Sequence, residues 1–220
     1  MNSILKLKTY QCLPFREQEI LRYAGCRNAD EKTRELLHSC MEEAAGCLTY
    51  RVVYRILSLE ICEDFCNFEL FSLHSRQLAK NLNGCRQTVL FAATIGVGMD
   101  RLIAKYSRLS PSKALMFQAI GAGQVEMLCD TFCEEISAQS CKSLRPRFSP
   151  GYGDLPLQTQ RDIFAVLDCE RKIGLTLNDS LLMSPSKSVT AFAGLSDQPE
   201  TKNLSPCTDC SKTDCSMRKG

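Results

Sequence analysis

The spacing of apolar residues predicts two helices before residue 49. The segments FREQEILRYAG and NADEKTRELLHSCMEEAAGCL, at residues 15–25 and 28–48, carry apolar side chains every three to four residues. That spacing is typical of a helix buried along one face. Gly25 and Gly46 lie near the ends of these segments, where glycine commonly terminates a helix.

Other segments have the patterns of strands. TYRVVYRILSLE, residues 49–60, alternates and is rich in β-branched side chains, and CNFELFSL, residues 66–73, is its expected partner. RQTVLFAATIG, residues 86–96, is a continuous apolar run that ends in glycine, which favours a strand buried on both faces. VTAFAGLS, residues 189–196, is expected to be the final strand.

Further helices are expected between and after these strands. The helical segments are residues 75–85, 98–107, 110–140 and 156–174. The longest of them, residues 110–140, has Ser110 as its predicted N-cap and Pro111 in its first turn. The pattern as a whole predicts an α+β fold with a mixed, largely antiparallel central sheet and helices packed around it.

Composition and charge exclude several classes of protein. The 220 residues are 44% hydrophobic and 24% charged, as in globular domains, and the net charge is only +2. Such a charge gives no electrostatic case for binding nucleic acid or an anionic membrane. No export signal and no run of about 18 apolar residues is visible. We therefore expect a soluble, cytoplasmic protein without a membrane partner.

The common catalytic patterns are missing from the sequence. No Walker loop occurs, and TIGVG at residues 94–98 lacks the third glycine of a dinucleotide-binding loop. The two histidines, His38 and His74, have no serine and carboxylate framework around them. A Ser/His/Asp catalytic site is therefore not expected.

Fourteen cysteines are many for a chain of this length. Without an export signal we interpret most of them as buried or inert thiols. Cys207, Cys210 and Cys215 alone form a pattern, C-x2-C-x4-C, whose spacing suits zinc or an iron–sulfur cluster. A fourth metal ligand would come from another cysteine, from a partner protein or from water. A structural zinc clip or a disordered tail is the alternative.

The segment RPRFSPGYGD, residues 145–154, separates two predicted helices. Its prolines prevent a regular hydrogen-bond ladder, and Gly151 and Gly153 permit positive φ. The segment therefore either holds one shaped conformation or is a long linker.

Residues 145–196 closely resemble the C-terminal activation domain of cobalamin-dependent methionine synthase. That family has an Arg-x-x-Pro-Gly-Tyr loop, then Gly-x-x-Leu-x-x-Ser, then Met-x-Pro-x-x-Ser-Val followed by Ser or Thr. The matched positions are Arg147, Pro150, Gly151 and Tyr152, then Gly174, Leu177 and Ser180, then Met183, Pro185, Ser188, Val189 and Thr190. The resemblance extends over about residues 10–196. Upstream, FAATIGVGMDRLIAKY (residues 91–106) and AIGAGQVEMLCD (residues 119–130) also resemble the free-standing branch of the family. It implies an activation domain over residues 1–196, followed by a flexible cysteine-containing tail over 197–220.

The resemblance implies a role in methionine biosynthesis through binding of S-adenosylmethionine. Activation domains present this ligand to cob(II)alamin, so that one-electron reduction is trapped by methyl transfer. The sequence has no Asp-x-His-x-x-Gly motif for holding a corrinoid. The resemblance therefore implies that the protein is not a complete methyltransferase. It would be an accessory subunit that reactivates a separate cobalamin-binding methionine synthase, with a reductant such as flavodoxin or ferredoxin.

Some residues of the matched loop are implied to form the ligand site. Arg147 would bind the ligand carboxylate, and Gly151 would let the backbone approach the ligand. Tyr152 would have the catalytic role, beside the reacting methyl group and the corrin. The alternative for Arg147 is a buried salt bridge, and for Tyr152 a place in the core.

Other implied contacts depart from the family pattern. Glu126 would pair with the ammonium or sulfonium of the ligand, or is a solvated helical glutamate. Ser149 replaces an alanine of the family, and Ala193 and Gly194 replace an aromatic pair, so these three would contact the ligand through their backbone. Arg16 aligns with a family aspartate near the N-terminus.

Other functions are compatible with the same residues. One is an activator of another corrinoid methyltransferase, or an electron-delivery protein that uses its cysteine tail. Another is a ligand sensor or scaffold that has kept the fold and lost reactivation.

Overall fold

The computed structural model of the protein describes residues 3–198. The strands are β1 (Lys6–Tyr10), β2 (Tyr50–Cys62), β3 (Phe65–Phe68), β4 (Ser72–His74), β5 (Gln87–Thr94), β6 (Ser143–Leu144), β7 (Thr176–Leu177), β8 (Met183–Ser184) and β9 (Ser188–Ser196). The helices are α1 (Glu17–Tyr23), α2 (Glu31–Ala45), α3 (Arg76–Leu82), α4 (Gly98–Leu109), α5 (Pro111–Ser140), α6 (Thr159–Leu167) and α7 (Cys169–Ile173). No helix within the described range is long and apolar enough to span a bilayer.

The central sheet is antiparallel at each of its pairings. Its strand order is β4-β3-β2-β5-β9-β6, and β1 also pairs with β2. β1 lies against residues 50–54 and β3 against residues 59–62, so both pair with the long strand β2. β7 and β8 form a separate two-stranded sheet. The predicted fold class is confirmed.

The two faces of the sheet are both covered by helices, which explains the continuous apolar run of β5. Val89, Phe91 and Ala93 pack with residues of α1, α2, α4 and α5. Leu90 and Ala92 point to the other face and pack with residues of α3, α6 and α7. Because successive side chains of a strand alternate between faces, a strand buried on both sides is apolar along most of its length. The buried polar exceptions in β5 are Thr88 and Thr94.

Most of the predicted elements are confirmed, with two corrections. The single strand expected at residues 66–73 is divided by a bend into β3 and β4. The expected single helix at residues 156–174 is wrong in part, because it is broken at Asp168 into α6 and α7. Asp168 has a φ of 50°, a left-handed conformation that interrupts helical hydrogen bonding. The strands β1, β6, β7 and β8 were not predicted. Ser110 is at the N-cap position of α5 as expected, but its side chain makes no capping hydrogen bond.

Candidate functional site

The loop at residues 145–154 is fixed to the sheet at its beginning. The N–H of Arg145 donates to the carbonyl of Gly194 at 2.8 Å. Phe148 and Phe192 exchange two backbone hydrogen bonds, each of 2.9 Å. The loop thus continues the sheet beside β9 before it turns away.

The other end of the loop is fixed to the first turn of α3 through Asp154. The hydroxyl of Ser75 and the N–H of Gln77 donate to one carboxylate oxygen, and the N–H of Arg76 donates to the other at 2.8 Å. The hydrogen bond from Ser75 is the main cause that lowers the pKa of Asp154 below its ordinary value. This anchor was missed by sequence reasoning. One signal was present: α3 has no acidic residue in its own first turn, so its N-terminus lacks the negative charge that is favourable there.

Between its anchors the loop holds one shaped conformation. Gly151 and Gly153 have φ values of 88° and 57°, as the sequence indicated. The N–H of Gly151 donates to the carbonyl of Leu155 at 2.9 Å, and that of Tyr152 to the carbonyl of Ser149 at 3.2 Å. The linker interpretation is therefore wrong, because both ends and the turn are held by hydrogen bonds.

Arg147 lies in this loop and reaches helix α5. Its Nη1 donates to Asp130 Oδ1 at 2.7 Å, and its Nη2 donates to Glu126 Oε2 at 2.6 Å. Glu126 and Asp130 are four residues apart, so they share one face of α5. The side chains of Arg147, Glu126 and Asp130 retain 22%, 34% and 28% exposure, so solvent reaches the group from one side.

Helix α1 adds a second guanidinium to this group. Arg16 precedes α1 and donates from Nη1 to Asp130 Oδ2 at 3.0 Å. α1 can lie close to α5 because Gly123 has no side chain. A Cβ at this position would stand 2.9 Å from a side-chain carbon of Ile20, which is too close. We call Arg16, Glu126, Asp130 and Arg147 the charged cluster.

Two thiols line the inner side of the charged cluster. Burial raises the pKa of Cys129 and of Cys133 above the ordinary value of a thiol. Both thiols are therefore neutral near pH 7, and the positive charge of Arg147 is balanced by carboxylates. Neither cysteine is suited to act as a nucleophile there, since the thiolate is the reactive form.

The structure brings together only some of the residues implied by the resemblance. Arg147 and Glu126 are in direct contact, and Ser149, Gly151 and Tyr152 belong to the same loop. Tyr152 is 68% exposed and is therefore not a core tyrosine. Arg147 makes the salt bridges that its alternative interpretation predicted. The ligand roles of these residues remain predictions.

Ala193 and Gly194 lie deeper, within β9. Ala193 is fully buried in the core under α5, and a Cβ at Gly194 would stand 2.7 Å from the sulfur of Cys85. The carbonyl of Gly194 already accepts the N–H of Arg145. Contact between these two residues and a ligand also remains a prediction.

The proposed metal ligands Cys207, Cys210 and Cys215 lie outside the described residues. Within residues 3–198, no group of three or more His, Cys, Asp or Glu side chains could hold a metal ion.

Sequence reasoning missed Asp130 and the pairing of Arg16. The signal for Asp130 was its position four residues after Glu126 on a predicted helix, which places both carboxylates on one face. For Arg16 the only signal was its alignment with a family aspartate. Its pairing with Asp130 had no signal in the sequence, because that contact depends on how α1 packs against α5.

Known proteins resemble the chain in sequence and in fold. The sequence profile of the family described as "Vitamin B12 dependent methionine synthase, activation domain" matches residues 77–220. A solved structure, described as the crystal structure of the MetH reactivation domain bound to AdoHcy, has a similar fold with a TM-score of 0.65. It is 13% identical, and the match covers 89% of this chain and 79% of the other. No curated protein matches the chain. The chain belongs to the family of activation domains of vitamin B12-dependent methionine synthase.

Proposed function

We propose that the protein binds S-adenosylmethionine and supports reductive methylation of cob(II)alamin held by a separate methionine synthase. One observation carries this proposal: two carboxylates of α5 hold the guanidinium of Arg147, which lies in a hydrogen-bonded loop. The related reactivation domain was crystallised with AdoHcy, the demethylated form of the proposed ligand. Bound S-adenosylmethionine would supply a methyl group to the partner's corrinoid, and the protein would supply binding and orientation.

The residues of the site suit the amino-acid end of this ligand. A guanidinium is a planar fork of donors that matches a carboxylate, and Arg147 keeps donors beyond its two ion pairs. Glu126 is an acceptor suited to the ligand ammonium. Ser149 and Gly151 offer backbone groups, and the positive φ of Gly151 brings the chain close to whatever lies over the loop.

The side of the loop that faces solvent is suited to a partner. Tyr152 is 68% exposed and Leu157 is 37% exposed. Leu157 lies beside the loop, since a Cβ at Gly151 would stand 3.3 Å from Leu157 Cδ1. A phenol ring can cover a methyl group and pack on an apolar macrocycle, which is the role proposed for Tyr152.

A cobalamin-holding partner is part of this proposal, since the matching family is the activation domain of a vitamin B12-dependent enzyme. The cobalamin would be held by the methionine synthase, and an external reductant of the flavodoxin or ferredoxin kind would supply the electron.

Ligand binding tests the proposal directly. S-Adenosylmethionine should bind in calorimetry and raise the melting temperature, since a ligand that binds only the folded state stabilises it. Arg147→Ala should weaken this binding by about 1.5–3 kcal/mol, the range for a hydrogen bond to a charged group. Arg171→Ala is the matched control, because Arg171 is also paired with one aspartate, Asp168 at 2.9 Å.

The outcome separates a ligand site from a structural ion pair. Equal affinity of the wild type and Arg147→Ala would remove Arg147 from the site. Absence of binding by the folded wild type would refute the proposed function.

A second candidate function is favoured by the cysteine pattern of the tail. Cys207, Cys210 and Cys215 have a spacing suited to an iron–sulfur cluster, as an electron-delivery protein for another corrinoid methyltransferase would need. The two functions make opposite predictions for removal of the tail.

A further inference from the structure

The charged cluster consists of alternating charges. From the α1 side the order is Arg16, Asp130, Arg147 and Glu126, joined at 3.0, 2.7 and 2.6 Å. Asp130 is the central link, since its two oxygens accept from different arginines. Arg16 also lies 3.9 Å from Glu19, which pairs with Arg22 at 3.1 Å. The formal charges of the cluster and of these two neighbours cancel before any ligand binds.

An α-amino carboxylate group has the complementary pattern, with one positive and one negative charge a single carbon apart. Such a zwitterion can join the cluster: its carboxylate accepts from donors that the arginines keep free, and its ammonium donates to lone pairs that the acids keep free. The existing ion pairs stay in place, and no charge is left unpaired.

The cluster is assembled without the ligand. Asp130 holds the Arg147 guanidinium from one side while Glu126 holds it from the other, so its orientation is fixed in advance. Pre-organised groups lose less conformational entropy when they bind. Arg16 comes from another helix and keeps 48% exposure, so its free donors can reach a ligand in the same place.

We propose that Asp130 and Arg16 belong to the binding site, as a positioning carboxylate and a second carboxylate-binding guanidinium for the amino-acid end of the ligand. This inference rests on the proposed function. It adds Asp130, which no family motif marks, and gives Arg16, which stands where the family has an aspartate, a role that an aspartate could not have. Asp130 orients Arg147 and, with Glu126, receives the ammonium. Arg16 shares the ligand carboxylate with Arg147.

A panel of ligands that differ only in the amino-acid end tests this inference. S-Adenosylhomocysteine carries the α-amino carboxylate without the sulfonium charge, and 5′-methylthioadenosine lacks the amino-acid end. Calorimetry with S-adenosylmethionine and both compounds would be done on wild type, Asp130→Asn and Arg16→Gln. Glu135→Gln is the matched control, because Glu135 is also an acid of α5 paired with a cation, Lys8, outside the cluster.

Asp130→Asn and Arg16→Gln should each lower the affinity for S-adenosylmethionine and for S-adenosylhomocysteine by about tenfold or more, as expected for the loss of charge-assisted hydrogen bonds. Their affinity for 5′-methylthioadenosine should stay within about twofold of the wild type, and Glu135→Gln should leave all three ligands unchanged. A merely structural role would weaken the three ligands alike. If Asp130→Asn does not fold, Arg16→Gln alone decides, since its exposed side chain carries little of the fold.

Two results would overturn the inference. One is normal S-adenosylmethionine affinity in the variants that fold, which would leave the proposed function intact. The other is an equal loss for 5′-methylthioadenosine. A wild type that binds none of the three ligands would refute the proposed function and this inference together.

Discussion

Arg147 and Tyr152 lie on the same loop and have opposite surroundings. The side chain of Arg147 is 22% exposed and held by two carboxylates, whereas Tyr152 is 68% exposed. A restrained cation suits the anchoring of a ligand. An exposed ring suits contact with something that arrives later, such as the corrinoid of a partner.

Replacement of Tyr152 should therefore separate binding from reactivation. In Tyr152→Ala we expect the rate of reactivation of an oxidised partner synthase to fall much more than the affinity for S-adenosylmethionine. The physical reason is that an interaction made only in the reacting geometry raises the rate without tightening ground-state binding. Stability should change by less than about 0.5 kcal/mol, as is usual for exposed positions.

The control for this experiment is Phe65→Ala, which removes a ring that is 50% exposed on β3. Phe65→Ala should change neither the rate of reactivation nor the affinity for S-adenosylmethionine. Normal reactivation by Tyr152→Ala would count against the catalytic role.

At the scale of elements, the site depends on three contacts between segments. β9 holds the start of the loop, the first turn of α3 holds its end through Asp154, and α1 packs on α5 at Gly123. Each contact joins segments distant in the chain. The position of Arg147 therefore depends on the fold as a whole.

Removal of the α3 anchor should affect both stability and ligand binding. Asp154→Ala removes acceptors of the α3 N-terminus, and loss of such a cap costs about 0.5–2 kcal/mol. We expect affinity for S-adenosylmethionine to fall as well, because the loop loses its second anchor. Asp30→Ala is the control: Asp30 caps α2 by accepting from the N–H of Thr33 at 2.9 Å, and its loss should leave ligand affinity unchanged.

The contribution of Asp154 should depend on pH. Its pKa is lowered in the folded protein, chiefly by the hydrogen bond from Ser75, so the folded state favours the ionised carboxylate. The stabilisation is then present above the unfolded pKa of about 3.9 and is lost as the pH falls through the lower folded value. Denaturant unfolding should show a gap between wild type and Asp154→Ala at pH 7 that narrows below pH 4. A gap constant down to pH 2 would contradict this account.

At the scale of the molecule, the antiparallel sheet and its two helical layers form the unit that carries the site. β9 lies between β5 and β6 in the sheet and ends at Ser196. We propose that the functional domain ends with this strand and that residues 197–220 are a separate tail.

Deletion of residues 197–220 should leave S-adenosylmethionine binding intact, together with reactivation by an external reductant. The reason is that the charged cluster and the loop at residues 145–154 precede the deleted segment. Iron, sulfide and zinc would be measured after anaerobic purification of the full chain. Stoichiometric iron and sulfide, with reactivation lost in Cys210→Ser, would favour the electron-delivery function instead.

The sequence determined by itself those features that arise between near neighbours. The helices α1, α2 and α5 and the strands β2, β5 and β9 follow from local periodicity, and the left-handed turns of the loop follow from Gly151 and Gly153. The resemblance to the family followed from three short motifs in the last third of the chain, each made of near neighbours. Local patterns of this kind persist whatever the rest of the chain does.

The tertiary structure alone decided which charges meet. Arg16 and Asp130 are 114 residues apart, and Ser75 and Asp154 are 79 apart. No periodicity links such positions, because their contacts depend on which helix covers which face of the sheet and how closely two helices approach. The same ordinary residues, an arginine before α1 and an aspartate on α5, become a charged cluster only because the packing at Gly123 brings α1 against α5.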